Sequence, residues 1–429
     1  MSFGYRVFST LAIGLLLPFL MLHPKLRLQI KRRLGLYAEP SPWPPRRQAG
    51  PRIWFHGASA GDLGALMPVL RALKRRVPDA TWILSTMTNS GLAAAEKLAT
   101  EVDGVTVLPY DLPGCTRRAV RVLKPDLLVL EYAEIWPNLI DAVHAEGAAI
   151  ALTNGRFSEA LLGRYQRFFS IFGNPLAVVD LLLMREDVEA DRARALGAPR
   201  DRVLSTGNTK FDNLKKSPEK QLIDDLARAL QAEADTPIFV AGSTHEGEEQ
   251  HLLAAFREMR AVSPKLKLVI APRYTERGSK VLALAKTAGY AGMLRTEPSA
   301  TAPDVLVLNT IGELQAAYAL ATLVFVGGSF VPRGGQNILE PAALGKPVLF
   351  GPEMANFRDS VEVLMGRGGI QVASPDRLGA LSVDLLMRPD EIARLGEMAR
   401  AAVVKVSGAS ERNAEALERL LIEKRRLAS

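Results

Sequence analysis

Short apolar runs alternate with helical patterns along most of the chain, and this alternation constrains the fold more than any other feature. The run Arg52–His56 precedes leucines and valines at helical spacing between 62 and 75, and the run Thr81–Thr86 precedes a helical segment from Ser90. Similar apolar runs lie at 105–108, 127–131, 148–153, 181–184, 203–206, 238–241, 266–270, 305–308, 324–326 and 348–350. Strands alternating with helices are typical of parallel, doubly wound sheets. The sequence therefore predicts an α/β fold.

The αβ pattern is interrupted once, by a charged and weakly patterned stretch at 217–235. A chain of 429 residues is long enough for two domains of ordinary size. We therefore predict an anchor and basic segment at 1–39, a Rossmann-like domain at 40–216 that starts with a proline-rich linker, a crossover at 217–235, and a second Rossmann-like domain with the C-terminal helix at 236–429.

The N-terminus combines an apolar run at 7–22, interrupted by Pro18, with a basic segment. The local excess of positive charge consists of Lys25, Arg27, Lys31, Arg32, Arg33, Arg46 and Arg47. Basic residues beside an apolar segment favour an anionic membrane surface as partner, with the body of the protein in the cytoplasm. The run is borderline for a span of about 20 residues. A short anchor, a helix in the membrane interface and a buried core helix all fit it.

Other partner and cofactor classes are disfavoured by the composition. Cys115 is the only cysteine, which excludes an intrachain disulfide and a multi-thiolate metal site. The five histidines have no recognisable zinc spacing, so we expect no metal. No motif of interleaved aromatic and basic residues indicates nucleic-acid binding.

The stretch 324–348 reads as a buried strand, a glycine-rich loop and a helix from about Asn337. Glycines let the backbone approach a ligand, and a helix N-terminus suits phosphate. Asn337 is a candidate N-cap, and the Glu340 carboxylate could accept hydrogen bonds from ribose hydroxyls. The alternative is a tight turn followed by a capped helix that has no ligand.

Polar side chains follow the predicted strands of the first series, where doubly wound sheets bind ligands. They are His56, Ser59, Asp62, Glu134, Asn154 and Arg156. A carboxylate such as Asp62, together with a cation such as Arg273 after a strand of the second series, suits transfer from a nucleotide-activated donor. Asp62 could equally only cap its helix, and His56, Glu134 and Lys210 could be structural.

Several motifs, taken together, resemble the 3-deoxy-D-manno-octulosonic acid (Kdo) transferase family. In order along the chain, as far as about Asp359, they are WFHGASAGD, TMTNSG, LPYDLPG, EIWPNL, NGRFSE, GNTKFD, STHEGEE, APR, GEL and FVGGSFVPRGGQNILEPAALGKPVLFGP. The resemblance implies a GT-B fold. It also implies inverting, metal-independent transfer of Kdo from CMP-Kdo to a lipid A precursor, at the cytoplasmic face of the inner membrane.

The resemblance also implies roles for individual residues. Asp62 stands at the position of the family's catalytic base, and Lys210 at that of its charge-stabilising lysine. The N-terminal domain would bind the acceptor and the C-terminal domain the CMP-sugar. The segments that match the family's CMP-binding residues are Pro272 and Arg273; Ile311, Gly312 and Glu313; and Asn337, Ile338, Leu339 and Glu340.

The chain departs from the family pattern at four positions. Asp62 replaces the usual Glu, Tyr132 replaces the first Glu of E-T-E-L-W, and Gln336 and Ile338 replace a histidine and a proline. In a strand, the neighbouring Glu131 would point to the opposite face from residue 132. These departures leave two alternatives open: a related GT-B transferase with another nucleotide sugar or lipid, and a catalytically inactive nucleotide-sugar binder.

Overall fold

The chain folds into two compact units in the computed structural model, which describes residues 3–22, 29–37, 50–213, 218–297 and 301–428. Unit 1 comprises Met1–Asn213 and Ser407–Ser429, and unit 2 comprises Leu214–Val406. Most of the predicted linker lies outside the described residues, as do Lys25, Arg27, Arg46 and Arg47 of the basic segment.

Unit 1 contains a seven-stranded sheet in which every neighbouring pair of strands is parallel. Its strands are β1 (Arg52–His56), β2 (Thr81–Thr86), β3 (Gly104–Val107), β4 (Leu127–Glu131), β5 (Ala149–Gly155), β6 (Leu181–Met184) and β7 (Val203–Ser205). The order is β3-β2-β1-β4-β5-β6-β7, so the direction of winding reverses between β1 and β4. A crevice for ligands is expected beyond the carboxyl ends of these two strands.

Helices cover both faces of this sheet. They are α1 (Phe3–Leu22), α2 (Ile30–Arg33), α3 (Ala60–Arg76), α4 (Asn89–Lys97), α5 (Pro113–Leu123), α6 (Pro137–Ala145), α7 (Leu162–Phe172) and α8 (Asp187–Ala195). Alternate residues of the central strands enter different cores: Trp54 and Leu128 lie in one, and Phe55 and Val129 in the other. Burial on both faces explains why the middle residues of these strands are apolar.

Unit 2 repeats the architecture with a second, fully parallel seven-stranded sheet. Its strands are β8 (Ile238–Thr244), β9 (Lys267–Pro272), β10 (Gly292–Leu294), β11 (Val305–Val307), β12 (Leu323–Val326), β13 (Val348–Phe350) and β14 (Gly369–Gln371). The order is β10-β11-β9-β8-β12-β13-β14. The winding reverses between β8 and β12, which lead into the STHEGEE motif and the glycine-rich loop.

The helices of unit 2 are α9 (Lys220–Leu230), α10 (Glu249–Val262), α11 (Gly278–Thr287), α12 (Leu314–Leu320), α13 (Leu339–Ala343), α14 (Arg358–Leu364), α15 (Leu378–Leu386) and α16 (Pro389–Val406). The predicted crossover at 217–235 thus contains a regular helix, α9, which buries Leu226 and Leu230. The two sheets confirm the predicted α/β class.

The final helix, α17 (Ala409–Ala428), belongs to unit 1. Our assignment of this helix to the C-terminal domain was therefore wrong. Its apolar residues Ala414, Leu417 and Leu421 are buried in the core that contains α3. The carboxylate of Asp212 accepts hydrogen bonds from Gly408 N (2.6 Å) and Ser410 N, which fixes the start of the helix. Amphipathic spacing predicted the helix but could not indicate which core it joins.

The first part of α1 packs on unit 1. Tyr5 Oη donates to the buried Asp111 carboxylate (2.8 Å), and Asn138 Nδ2 donates to Ser9 Oγ (3.0 Å). The other side of α1 exposes Phe3, Leu11 and Leu15. Among the described residues, no helix is both long enough and apolar enough to cross a bilayer.

Arg33 is not part of a basic surface, contrary to the sequence-based prediction. Its side chain is buried, donates to Met87 O and lies 5.6 Å from the centre of the Tyr110 ring. Burial lowers the pKa of this guanidinium below its usual value. Arg33 therefore fastens α2 to the domain, because its guanidinium bonds the backbone of the loop after β2.

Candidate active site

The loop after β1 presents Asp62 at the start of α3. Ser59 is the N-cap of this helix, and Asp62 Oδ2 accepts hydrogen bonds from Ser59 N (2.8 Å) and Ser59 Oγ (2.9 Å). The two residues form a capping box. Among the described residues, no hydrogen-bond donor contacts Asp62 Oδ1, and the side chain is only half-buried. The capping role therefore occupies one carboxylate oxygen and leaves the other for a substrate.

A buried polar network joins the carboxyl ends of β4 and β5 to the GNTKFD segment. Glu131 Oε1 accepts from Asn154 Nδ2 (2.6 Å), and Glu131 Oε2 accepts from Thr153 Oγ1 (2.6 Å). Asn154 Oδ1 accepts from Thr209 N (2.9 Å), and Thr209 Oγ1 donates to Ala65 O in α3 (2.6 Å). The segments that carry Asp62 and Lys210 are thus linked to each other within unit 1.

Lys210 follows Thr209 directly in a short 3-10 turn at Thr209–Asn213. Its backbone N donates to Asn208 Oδ1 (3.1 Å), and its side chain is exposed. The turn therefore has a fixed backbone, while the ammonium group remains accessible to an anionic substrate.

The loop after β4 begins with a residue in the left-handed conformation, Tyr132 (φ 55°). Glu134 Oε2 accepts from Trp136 Nε1 (2.9 Å) and lies 3.8 Å from His56 Nε2. His56 is fully buried, and its Nδ1 lies 2.9 Å from Ser85 Oγ. His56 and Glu134 therefore both contact side chains of unit 1, and the alternative that they are structural residues stays a prediction.

Unit 2 contains a cavity of about 290 Å³ at the carboxyl ends of its strands. Six of the nine predicted nucleotide-binding residues line it: Pro272, Arg273, Ile311, Gly312, Asn337 and Glu340. Glu340 Oε1 accepts from Asn337 Nδ2 (3.1 Å), so these two polar groups are held together. The Arg273 side chain is exposed, and Ile311 is 91% exposed. Three segments that are far apart in sequence therefore meet here.

The other three predicted residues do not line this cavity. Ile338 and Leu339 are buried apolar side chains. Glu313 is mostly buried, and its Oε1 accepts from Arg295 Nε (3.0 Å) and lies 2.9 Å from Arg295 Nη2 in an ion pair. Its Oε2 accepts from Thr310 Oγ1. Thr310 and Gly312 do line the cavity, so Glu313 supports the cavity indirectly, by fixing the loop that contains these two residues.

The first part of the glycine-rich loop is held by the side chain of Glu248. The buried carboxylate of Glu248 accepts four backbone hydrogen bonds: from His245 N (2.8 Å) and Gly328 N (2.7 Å) at Oε2, and from Ser329 N (3.1 Å) and Phe330 N (3.0 Å) at Oε1. The helix that follows, α13, has five residues. The amides of Gly328, Ser329 and Phe330 are therefore occupied by a protein carboxylate. The predicted phosphate site at the helix start near Asn337 stays a prediction.

The cavity is also lined by Ser243 and by Tyr318, which sequence reasoning missed. Ser243 is in the left-handed conformation (φ 56°), and Tyr318 is 1% exposed. A Cβ atom on Gly242 would lie 2.0 Å from Tyr318 Oη, so the glycine makes room for the phenol. Burial, and secondarily the Glu340 charge, raises the pKa of Tyr318. The signal that could have identified this pair is a glycine near the end of an apolar strand.

Comparison with known proteins identifies the family. Residues 29–213 match the family model described as 3-deoxy-D-manno-octulosonic-acid transferase (kdotransferase). The 3-deoxy-D-manno-octulosonic acid transferase of Bordetella pertussis is 33% identical over 380 residues, covering 85% of this chain and 86% of that protein. The transferase of the same name from Haemophilus influenzae is 30% identical over 395 residues, covering 91% and 90%.

Solved structures agree on the fold. A glycosyltransferase from Rickettsia africae has a TM-score of 0.54 at 11% identity, covering 87% of this chain and 99% of that one. A UDP-GlcNAc 2-epimerase from Neisseria meningitidis also has a TM-score of 0.54, at 12% identity and the same coverage. These similarities show a GT-B-like fold. Together with the sequence relatives, they establish that the chain is a glycosyltransferase of the 3-deoxy-D-manno-octulosonic acid transferase family.

Proposed function

We propose that this chain transfers Kdo from CMP-Kdo to a lipid A precursor during assembly of the lipopolysaccharide core. Membership of the family supports the reaction class. The structural observation that carries the proposal is the cavity of unit 2, where a cation, an amide–carboxylate pair and an exposed apolar surface meet. A nucleoside monophosphate has a complementary group for each of these features.

The cavity residues suit the parts of CMP as follows. The guanidinium of Arg273 can pair with the phosphate through charge-assisted hydrogen bonds. The carboxylate of Glu340, oriented by Asn337, can accept from the ribose hydroxyls. The exposed Ile311 side chain offers an apolar face for the base.

In the proposed reaction, Asp62 Oδ1 takes the proton from the acceptor hydroxyl as its oxygen bonds to the anomeric carbon of Kdo. The bond between that carbon and the CMP phosphate oxygen breaks, and CMP leaves with the electron pair. Lys210 stabilises the negative charge of the reacting groups. Asp62 is one methylene shorter than Glu, so the acceptor hydroxyl must lie closer to α3 than it would with Glu.

We further propose that unit 1 docks on the cytoplasmic face of an anionic inner membrane. Helix α1 exposes the side chains of Phe3, Leu11 and Leu15, and the neighbouring helix α7 exposes Ile171 and Arg167. Phe8 of α1 and Phe172 of α7 pack with ring centres 5.2 Å apart. An exposed apolar helix face next to a helix that carries an exposed cation suits a helix lying in the membrane interface.

Vesicle flotation tests the docking. The wild-type chain should float with anionic vesicles and less with neutral ones. The double variant Leu11→Glu/Leu15→Glu should lose flotation, whereas Leu204→Glu, at an exposed leucine on the edge strand β7, should not. Equal flotation of all three proteins would disprove this surface.

A transfer assay tests the function. Purified chain in detergent is incubated with CMP-Kdo and a tetra-acylated lipid A precursor, and the lipid is analysed by mass spectrometry. A gain of one or more Kdo masses is the expected result and counts the additions. No gain with CMP still bound would favour the alternative of a different sugar or acceptor, which Gln336 in the cavity lining and Tyr132 after β4 support.

The variant Asp62→Asn tests whether Asp62 is the catalytic base. It should abolish transfer and leave CMP affinity unchanged, because Asp62 lies in unit 1 and the nucleotide residues in unit 2. Asp79→Asn is a matched control, since this exposed aspartate precedes β2 at the opposite end of the sheet. Full activity in Asp62→Asn would remove Asp62 as the base.

A further inference from the structure

Glu131 is a buried carboxyl group that the proposed reaction does not use. It ends β4 at the point where the winding of the sheet reverses, and its side chain is fully buried. Strand alternation predicts that Glu131 and residue 132 point to opposite faces. In the structure the chain turns sharply at Tyr132, and the Glu131 carboxyl bonds the polar ends of β5.

The contacts of Glu131 continue to both proposed catalytic segments. The amide of Asn154 donates to Glu131 and to Thr209 Oγ1, and accepts from Thr209 N. Thr209 in turn donates to Ala65 O, one turn after Asp62 in α3, and directly precedes Lys210. Asn154 itself is left-handed (φ 49°), a conformation that needs such contacts to hold it.

We propose that Glu131 is a positioning residue of the transferase: through Asn154 and Thr209 it holds the segments of Asp62 and Lys210 in register. This inference rests on the proposed function of those two residues. Glu131 contacts neither substrate in this scheme and acts only through the network. Loss of the carboxyl leaves the Asn154 amide without one of its acceptors, so the amide can rotate away from Thr209.

The neutral acid satisfies this network fully. Its O–H can donate to Thr153 Oγ1, which then donates to Leu130 O (3.2 Å), and its carbonyl oxygen accepts from Asn154. Burial raises the pKa of Glu131 to about 8, and the charge of Asp62 adds to the increase. The bonds from Thr153 and Asn154 and the charge of Arg185 act in the opposite direction. A neutral Glu131 also spares Asp62 a second negative charge nearby.

Three variants separate positioning from general stability. Glu131→Gln reproduces the neutral acid, because its oxygen accepts from Asn154 and its NH2 donates to Thr153. Glu131→Met keeps the volume and removes both contacts. Leu128→Ala, a buried residue of the same strand, destabilises the core without touching the network. Transfer activity, CMP affinity and amide hydrogen exchange are measured on each full-length protein.

We expect Glu131→Gln to keep kcat within about threefold of wild type at pH 7. Glu131→Met should lose about tenfold to hundredfold in kcat, the effect of small displacements in a tight site, with CMP affinity unchanged. Leu128→Ala should keep its kcat at low temperature. The kcat of the wild type should also change as the pH passes through about 8, because Glu131 titrates there. The kcat of Glu131→Gln should show no such change.

Amide hydrogen exchange tests the positioning role of Glu131 independently of transfer activity. The Thr209 N–H should exchange faster in Glu131→Met than in wild type, and at the wild-type rate in Glu131→Gln. Wild-type kcat and wild-type exchange in Glu131→Met would overturn the proposal. An inactive wild-type protein would instead refute the proposed function, and the exchange experiment would still decide whether Glu131 holds the Thr209 segment.

Discussion

Glu248→Gln should destabilise unit 2 strongly, although it changes only one side-chain group. The Glu248 carboxylate accepts four backbone hydrogen bonds, two at each oxygen. Glutamine keeps the volume and one acceptor oxygen, but its NH2 group faces two of the buried N–H donors. Each unsatisfied buried donor costs about 1–3 kcal/mol. We therefore expect the free energy of unfolding to fall by about 3–5 kcal/mol.

Urea unfolding followed by far-UV circular dichroism measures this change. With a slope of about 3 kcal/mol per M, the midpoint of the affected transition should move down by at least about 1 M. Tryptophan fluorescence follows the unfolding of unit 1 separately. Trp54, Trp82 and Trp136 all lie in unit 1, and no tryptophan follows them in the chain. The circular dichroism change at low urea should therefore have no counterpart in fluorescence.

The control is Glu246→Gln, which removes the same charge from an exposed neighbour in the same motif. It should change the free energy of unfolding by less than about 0.5 kcal/mol. Glu248→Gln should also weaken CMP binding, because the loop it holds leads to Gln336 and Asn337 in the cavity lining. If both variants unfold at the wild-type midpoint, the four bonds do not stabilise the loop and the reasoning is refuted.

Three further changes have measurable outcomes. Glu131→Gln should flatten the pH dependence of stability. The pKa of Glu131 is about 8 in the folded protein and 4.5 in the unfolded chain, so the free energy of unfolding of the wild type falls by up to about 5 kcal/mol between these pH values, relative to the variant. Urea titrations at pH 5 and 8.5 measure this difference. Gly242→Ala should cost about 1–3 kcal/mol by overpacking against Tyr318, and a wild-type melting temperature would contradict the 2.0 Å clash. Asp212→Ala should cost about 1–2 kcal/mol by uncapping α17; unchanged exchange of Gly408 and Ser410 amides would argue against the cap.

Most of the fold could be predicted because its central strands are buried on both faces. The strands Arg52–His56, Thr81–Thr86 and Leu181–Met184 are buried along their length and have the bounds that the sequence predicted. The three-residue strands β10 and β14, at the two edges of the second sheet, were missed. Edge strands this short have too few apolar residues to show a period, and they form only because a neighbouring strand supplies partners.

The sequence could predict which motifs form the candidate site, but not which residue in each motif faces the cavity and which supports the loop. Family motifs identified the segments of the cavity, yet they do not distinguish Arg273, whose side chain is exposed, from Glu313, which pairs with Arg295. The roles of Glu248 and Glu131 depend on hydrogen bonds to segments 80 and 23 residues away in sequence. No local pattern encodes such contacts, since they exist only after the sheets have formed.

The return of α17 to unit 1 has a consequence for synthesis of the chain on the ribosome. Unit 2 is continuous in sequence, so it can fold as soon as residue 406 has emerged. The core around α3 lacks Leu417 and Leu421 until residues 417–421 have been translated, although most of its other members precede unit 2 in sequence. Unit 1, most of which is translated first, can therefore complete this core only after all of unit 2 has been translated.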